Sequence, residues 1–367
     1  MGTSDLLHLR LSRQSLLAST FQSPREVVRW MVALQAQDFV MARWAVGARL
    51  PGSTDQEVLA AVDRGSLVRT HLLRPTWHLA AAEDARWLLH LSAPQIKART
   101  AYRDRQLELT EAVYGRSNRL LERALRNGVE LTRAQIVQRF RDARIPVDEN
   151  RAAHLLLRGE LEGIVCSGAS RGSATTYALF DDRVPASKPL PREEALAALA
   201  SRYFASRGPA TVEDFTWWSG LAARDARRAV ESARGSLELA RTSAGSYLGP
   251  RVSGHDASSD GRRGVHLLPA YDEFMISYAD RLAPLARVHV RRAISDNGIF
   301  HPTIVAGGLV VGVWTRHKLG AAASVEAALF GRPAARMRAG ISRCVKRLAE
   351  FWGMETTLEY RASGAAG

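Results

Sequence analysis

The apolar positions of the chain fall into a unit that recurs three times, two helices followed by a short two-stranded ribbon. In the first copy, Ser23-Pro24-Arg25-Glu26 has the pattern of a capping box with proline at the first helical position. Val27, Val28, Met31 and Leu34 then share one helical face. Asp38 is placed to cap the next helix, whose apolar stripe is Met41, Trp44, Ala45 and Ala48. A further helix over 56–64 stops at Gly65, and 67–73 and 76–80 read as strands flanking Arg74-Pro75.

The second copy covers 129–180. Thr132-Arg133-Ala134-Gln135 is another capping box, leading into Ile136, Val137 and Phe140, and Ile145-Pro146 makes the turn. Asp148 is expected to cap a helix ending near Gly159. Strands over 163–167 and 175–180 flank a Gly/Ser-rich tip that carries Arg171 and resembles a wing. The third copy covers 193–248. Thr211-Val212-Glu213-Asp214 opens a helix bearing Phe215 and Trp218, and Gly220 turns the chain. The next helix presents Arg224, Arg227, Arg228 and Arg234 on or near one face, and 236–240 with 246–248 form the ribbon. Residues 254–264 are a polar loop without core-forming side chains. Beyond 265 the pattern turns β-rich and then helical. Strands over 303–306 and 309–314 flank the hairpin signal Gly307-Gly308, a helix spans 335–352, and 356–360 returns as an edge strand.

Helix-helix-ribbon is the winged-helix pattern. The expected fold class is α+β, tandem winged-helix motifs plus a C-terminal β-rich and helical element. The winged helices occupy 1–82, 129–184 and 192–250, a helical connector covers 83–128, and the C-terminal element covers 265–362. An unrelated α+β enzyme is the alternative that pattern alone leaves open.

Composition narrows the partners. Lys+Arg of 51 against Asp+Glu of 37 gives a formal charge of +14, which favours a polyanion such as DNA, RNA or an anionic membrane surface. An Arg- and Ala-rich coding bias would give the same excess with no partner at all. The two cysteines, Cys166 and Cys344, exclude a disulfide framework and a four-cysteine zinc site and fit a reducing compartment. No metal-ligand spacing, phosphate-binding glycine loop or nucleophile elbow is present, so neither metal nor cofactor is expected. No signal peptide is visible, and the apolar run 303–314 is too short to span a bilayer. The expected place is the cytoplasm, on the nucleoid when DNA is bound. With no heptad repeat or dimerisation helix, a monomer is expected.

Two segments are dense in candidate chemistry. In Leu34-Gln35-Ala36-Gln37-Asp38, two carboxamides two residues apart lie where one helix hands over to the next, placed to hold a water molecule. In the segment 69–78, Arg69, His71 and Leu73 share a strand face, while Arg74, Trp77 and His78 come from the turn and the return strand. Such a ribbon would touch phosphates through its arginines and stack Trp77 on a base or sugar. The alternative is a wing anchored by a buried Trp77. Asp272-Glu273 reads as a structural pair in ion pairs, its side chains pointing apart along a strand.

Taken in order, Leu34-Gln35-Ala36-Gln37, Arg69-Thr70-His71, Arg74-Pro75-Thr76-Trp77-His78, Trp217-Trp218-Ser219-Gly220-Leu221 and Leu268-Pro269-Ala270-Tyr271-Asp272-Glu273 resemble the winged-helix bacterial DNA glycosylases typified by AlkZ and YcaQ. The resemblance covers nearly the whole chain. It implies three winged-helix motifs arranged in a C shape around a concave basic channel for double-stranded DNA. It also implies removal of alkylated purines, including bulky natural-product adducts and interstrand crosslinks. The family signature is Gln-x-Gln in the AlkZ branch and Gln-x-Asp in the YcaQ branch. Gln35 and Gln37 match the former, and Asp38 lies one position beyond the latter's aspartate.

The resemblance casts Gln35 and Gln37 as catalytic, and the residue pattern offers Arg69, His71, Arg74, Trp77, His78, Arg171, Arg224, Arg227 and Arg228 as the DNA-binding set. An N7- or N3-alkylated purine is already cationic, so no general acid is needed to release it. The work left is to place a water near C1′ and stabilise an oxocarbenium-like sugar. Two neutral carboxamides suit that work and spare undamaged DNA. The competing roles are helix-end capping for the glutamines, and for the whole chain a DNA-binding regulator without catalysis or an RNA-binding protein.

Overall fold

The computed structural model describes residues 2–242, 245–250 and 264–361, so the polar loop expected over 254–264 falls almost wholly outside the described residues. The class is α+β. Among the described residues, helices and four small antiparallel or mixed sheets alternate, and no described helix is long and apolar enough to cross a membrane.

The N-terminal part places helices Thr3–Arg13 and Pro24–Trp30 before strand Ala33–Gln35, then helices Phe39–Gly47 and Asp55–Asp63 and the hairpin Leu67–Leu72 with Thr76–Ala81. Ser23 caps the Glu26 amide and Asp38 the Met41 amide, as the side-chain patterns predict. The handover is different. The helix that was expected to carry Leu34 stops at Trp30, and Val32 takes a left-handed φ of 62°. Residues 33–35 then add a third strand to the hairpin, pairing Gln35 with His78 and Leu34 with Leu79. The reason is burial on all sides. Met31 to Leu34 are at most 1% exposed, and a short continuous apolar run has no period to separate helix from inner strand. Tertiary pairing decides, and it holds even the β-branched Val32 in an unfavourable region.

The 25-residue helix Ala82–Gln106 leads to helix Glu111–Ala124 and a second unit, in which helices Arg133–Asp142 and Arg151–Leu161 meet a small sheet of Leu131–Thr132, Thr176–Leu179 and Val165–Ser167. Thr132 and Gln135 make the expected reciprocal cap. Asp148 does not cap by its side chain. Asn150 occupies that position with φ 73° and no side-chain bond. In the third unit, helices Arg192–Arg207, Val212–Ser219 and Ala223–Ser232 pack beside the ribbon Leu237–Thr242 and Gly245–Pro250. Tyr203, Phe204, Phe215 and Trp218 form its aromatic centre.

The C-terminal part is a five-stranded sheet backed by helix Ala335–Trp352. The hairpin at Gly307-Gly308 forms, but its second strand runs on to Leu319 and turns at Gly320 into a strand, Ala322–Leu329, that the alanine-rich sequence hides. Thr356–Tyr360 pairs in parallel at the edge. This sheet and the N-terminal helices share one core: Trp44 donates to Leu267 O at 2.7 Å, and Gly47 lies so close to Phe351 that a Cβ there would meet the ring at 2.5 Å. The first and last parts of the chain are thus one packed body, which brings residue 273 to the strand of Gln35.

Candidate active site

Gln35, His78 and Thr70 lie in one row across the small sheet. The strand of Gln35 is an edge, and the central strand bonds it on one side only. The amide of Gln35 therefore points away from the sheet, where Glu273 Oε1 accepts it at 3.0 Å. Gln35 is 9% exposed, and its Oε1 accepts from Arg74 Nη2 at 2.8 Å. That bond fixes the carboxamide orientation and leaves its NH2 free to donate.

The extended chain continues by one more bond, from Ala36 N to Trp77 O, and reaches Gln37, which is exposed. Gln37 lines a groove of about 830 Å³ together with Asp38, Phe39, Arg43, Arg316, Lys318 and Trp352, closed on one side by the second unit's tip at Ser170 and Ser173. Asp38 is occupied as the cap of Met41.

The segment 69–78 divides into inner and outer members. His78 is fully buried. Its Nδ1 lies 2.9 Å from Thr76 O, its Nε2 has no partner, and burial beside the Arg74 guanidinium lowers its pKa to about 3. It is neutral at ordinary pH and cannot reach DNA, which corrects the expectation of a direct contact. His71 is also buried, with Nδ1 2.8 Å from Glu160 Oε2 and its ring against Trp77. Arg69 and Trp77 are half-buried, the guanidinium stacked 4.4 Å from the indole centroid and donating to Ala36 O at 3.0 Å. Arg74 is half-buried at the hairpin tip, where Leu73 has φ 59° and Gly220 packs so closely that a Cβ would meet Leu73 O at 2.5 Å.

Arg171 sits exposed on the second unit's tip and donates to Glu130 O at 2.7 Å. Arg224, Arg227 and Arg228 are exposed on helix Ala223–Ser232, which packs on the third unit's own helices rather than on the Gln35 strand. Arg228 also pairs with Glu193.

Glu273 is the residue whose importance the sequence pattern understates. It was expected on a strand. It opens the short helix Glu273–Ile276, with Asp272 as the cap. Both acids do form ion pairs, Asp272 with Arg49 at 2.8 and 2.9 Å and Glu273 with Arg207 at 2.9 Å, and all four side chains are buried. Glu273 also accepts from Ser277 Oγ at 2.5 Å and Trp218 Nε1 at 3.0 Å. Burial alone would raise its pKa; the Arg207 charge and these donors outweigh it and hold the carboxyl at about 2. Arg207 and Glu160, also missed, leave a faint sequence signal. Arg207 continues the stripe Leu196, Ala200, Tyr203, and Glu160 lies one turn beyond Leu156, each a charge on an apolar helical face. Among the described residues no group of three or more His, Cys, Asp or Glu side chains could hold a metal ion.

Three comparisons bear on this arrangement. A family model described as "DNA glycosylase AlkZ-like" matches residues 28–351. A protein described as an interstrand DNA cross-link repair glycosylase of Streptomyces sahachiroi is 29% identical over 330 residues, covering 83% of this chain and 85% of that protein. The solved structure of the Streptomyces sahachiroi DNA glycosylase AlkZ superposes with a TM-score of 0.81 at 21% identity, over 98% of this chain and all of the other.

Proposed function

Because the chain belongs to the AlkZ-like family of DNA glycosylases, we propose that it hydrolyses the N-glycosidic bond of alkylated, cationic purines in duplex DNA with a water placed by Gln35 and Gln37. One observation carries this reading: among the described residues each carboxylate against the Gln35–Gln37 segment already has a partner, Asp55 of the groove pairing with Arg43. Glu273 serves Arg207 and the Gln35 amide, Glu160 serves His71, and Asp38 caps a helix. His78 is buried and neutral. A site with no unpartnered acid among the described residues suits a leaving group that needs no proton, and an N7- or N3-alkylated purine is such a group.

Arg74 holds the Gln35 carboxamide, so that one glutamine is set by the protein and the other, Gln37, meets the substrate from the groove. The carboxamide dipoles orient the water and favour positive charge building on the sugar. Arg69, Trp77, Arg171, Arg224, Arg227 and Arg228 serve the DNA, Arg69 and Trp77 near the site and the others at its margins. The open groove admits a bulky adduct or a crosslinked base that a closed base-flipping pocket would reject. The activity named for the Streptomyces relative supports crosslink unhooking. The reaction is hydrolytic and monofunctional, and the protein acts as a monomer.

The test is excision from duplex DNA carrying N7-methylguanine or a bifunctional-alkylator crosslink, scored as abasic sites after alkaline cleavage. Gln35→Ala and Gln37→Ala are expected to lose roughly 10²–10³-fold in rate while still binding DNA. Borohydride should trap no covalent DNA adduct. Tight binding without excision of any lesion would make the chain a DNA-binding protein instead.

A further inference from the structure

Beside Gln35 the positive charge exceeds what the surrounding protein neutralises. Arg74 spends Nη2 on the Gln35 carboxamide, and its buried Nε has no partner. Arg281 donates Nε to Met275 O and Nη1 to Ala279 O, both at 3.2 Å, while its buried Nη2 has none. Among the described residues neither guanidinium has a carboxylate in ion-pair range, and Glu273 belongs to Arg207. Both guanidiniums lie on one indole, Arg74 at 5.9 Å and Arg281 at 4.8 Å from the centroid of Trp217. That ring is 45% exposed, yet its Nε1 is fixed to Ile276 O at 3.0 Å. Burial lowers the pKa of each arginine by more than the nearby charges of Glu273, for Arg74, and of Asp214 and Asp280, for Arg281, raise it, and Arg281 adds repulsion on Arg74. Two desolvated like charges sharing one exposed aromatic platform are costly until an anion joins them.

We propose that Arg74, Arg281 and Trp217 form a phosphate site that takes one backbone phosphodiester of the DNA next to Gln35. The guanidinium fork fits phosphate oxygens, and fixed backbone acceptors already aim Arg281. Because Arg74 also holds Gln35, seating the phosphate steadies the carboxamide that places the water. The site rests on the DNA reading above and is independent of whether the bond is cut.

The experiment uses the full chain and a short undamaged duplex in which single phosphates are replaced, one at a time, by uncharged methylphosphonates. Equilibrium binding is read across a KCl series for wild type, Arg281→Gln and Arg281→Lys. The expected result is one position where neutralisation weakens wild type about tenfold but leaves Arg281→Gln unchanged, with that variant's salt slope smaller by about one. Arg281→Lys should keep the wild-type slope, which separates lost charge from lost folding. Additive effects of variant and methylphosphonate at every position would overturn the proposal. Inorganic phosphate at matched ionic strength separates the two sources of the anion. Competition through Arg281 with no sensitive methylphosphonate position would mean a free-anion site and would remove the DNA assignment. Since the duplex is undamaged and only binding is read, absence of excision does not affect the outcome.

Discussion

Two buried carboxylates close the two opposite edges of the same three-stranded sheet, and they do so with different partners. Glu160, from the second unit, meets the edge strand Leu67–Leu72. It accepts from the His71 amide at 2.8 Å and Thr70 Oγ1 at 3.0 Å, lies 2.8 Å from His71 Nδ1, and accepts from Trp77 Nε1 at 3.2 Å. Glu273, from the C-terminal part, meets the edge strand Ala33–Gln35 through the Gln35 amide, while Arg207 also donates to Ala33 O at 3.0 Å. Both pKa values lie below the usual carboxylate range. The edge that carries Gln35 is therefore tied to an arginine, and the edge facing the second unit to a histidine.

The strongest way to break the symmetry is Glu273→Ala, which strands the buried Arg207. It is expected to cost about 3–5 kcal/mol in denaturant unfolding and to abolish excision. Glu273→Leu with Arg207→Met sharpens the point: much of the stability should return, because no buried charge is left alone, but excision should not, because the Gln35 amide still lacks its acceptor. Glu160→Gln keeps the shape and removes the charge, and about 1–3 kcal/mol should go. Acid should then weaken both edges. Both carboxyls are depressed, so each stabilises above its unfolded value near 4.5 and loses that stabilisation as pH falls. For Glu273 the loss extends from about 4.5 down to about 2, so wild type and the double variant should converge only at the bottom of that window. His78 adds an effect that is absent at neutral pH and grows as pH falls toward 3. Its pKa is about 3 when folded and near 6.5 when unfolded, so the unfolded chain takes up a proton first. Stability should fall by about 1.4 kcal/mol per pH unit below 6.5, and a urea-melt pH series of His78→Gln should lack that slope.

Much of this was legible in the residues. The caps at Ser23, Asp38, Thr132 and Thr211, the hairpins at Arg74-Pro75 and Gly307-Gly308, and helix Ala335–Trp352 all write their signals locally. The Gln-x-Gln pair stands out as a motif, but its strand setting does not, because pairing with residues 78–80 is a long-range event that no local period announces. Strand Ala322–Leu329 was hidden by alanines that only its neighbours make extended. The partners of the site, Glu160, Arg207 and Arg281, were missed because an isolated charge says nothing of which distant charge it will meet. Asp272 and Glu273 were read as ion-paired, and they are, but the arginines that pair with them stand 223 and 66 residues away.

The Gln35 amide has its acceptor at residue 273, 238 positions later. A chain is made from its N-terminus, so the motif leaves the ribosome long before the group that steadies it. Throughout most of synthesis the two glutamines exist without a site. If the chain cuts glycosidic bonds as proposed, that activity requires the final quarter to fold back onto the first strand.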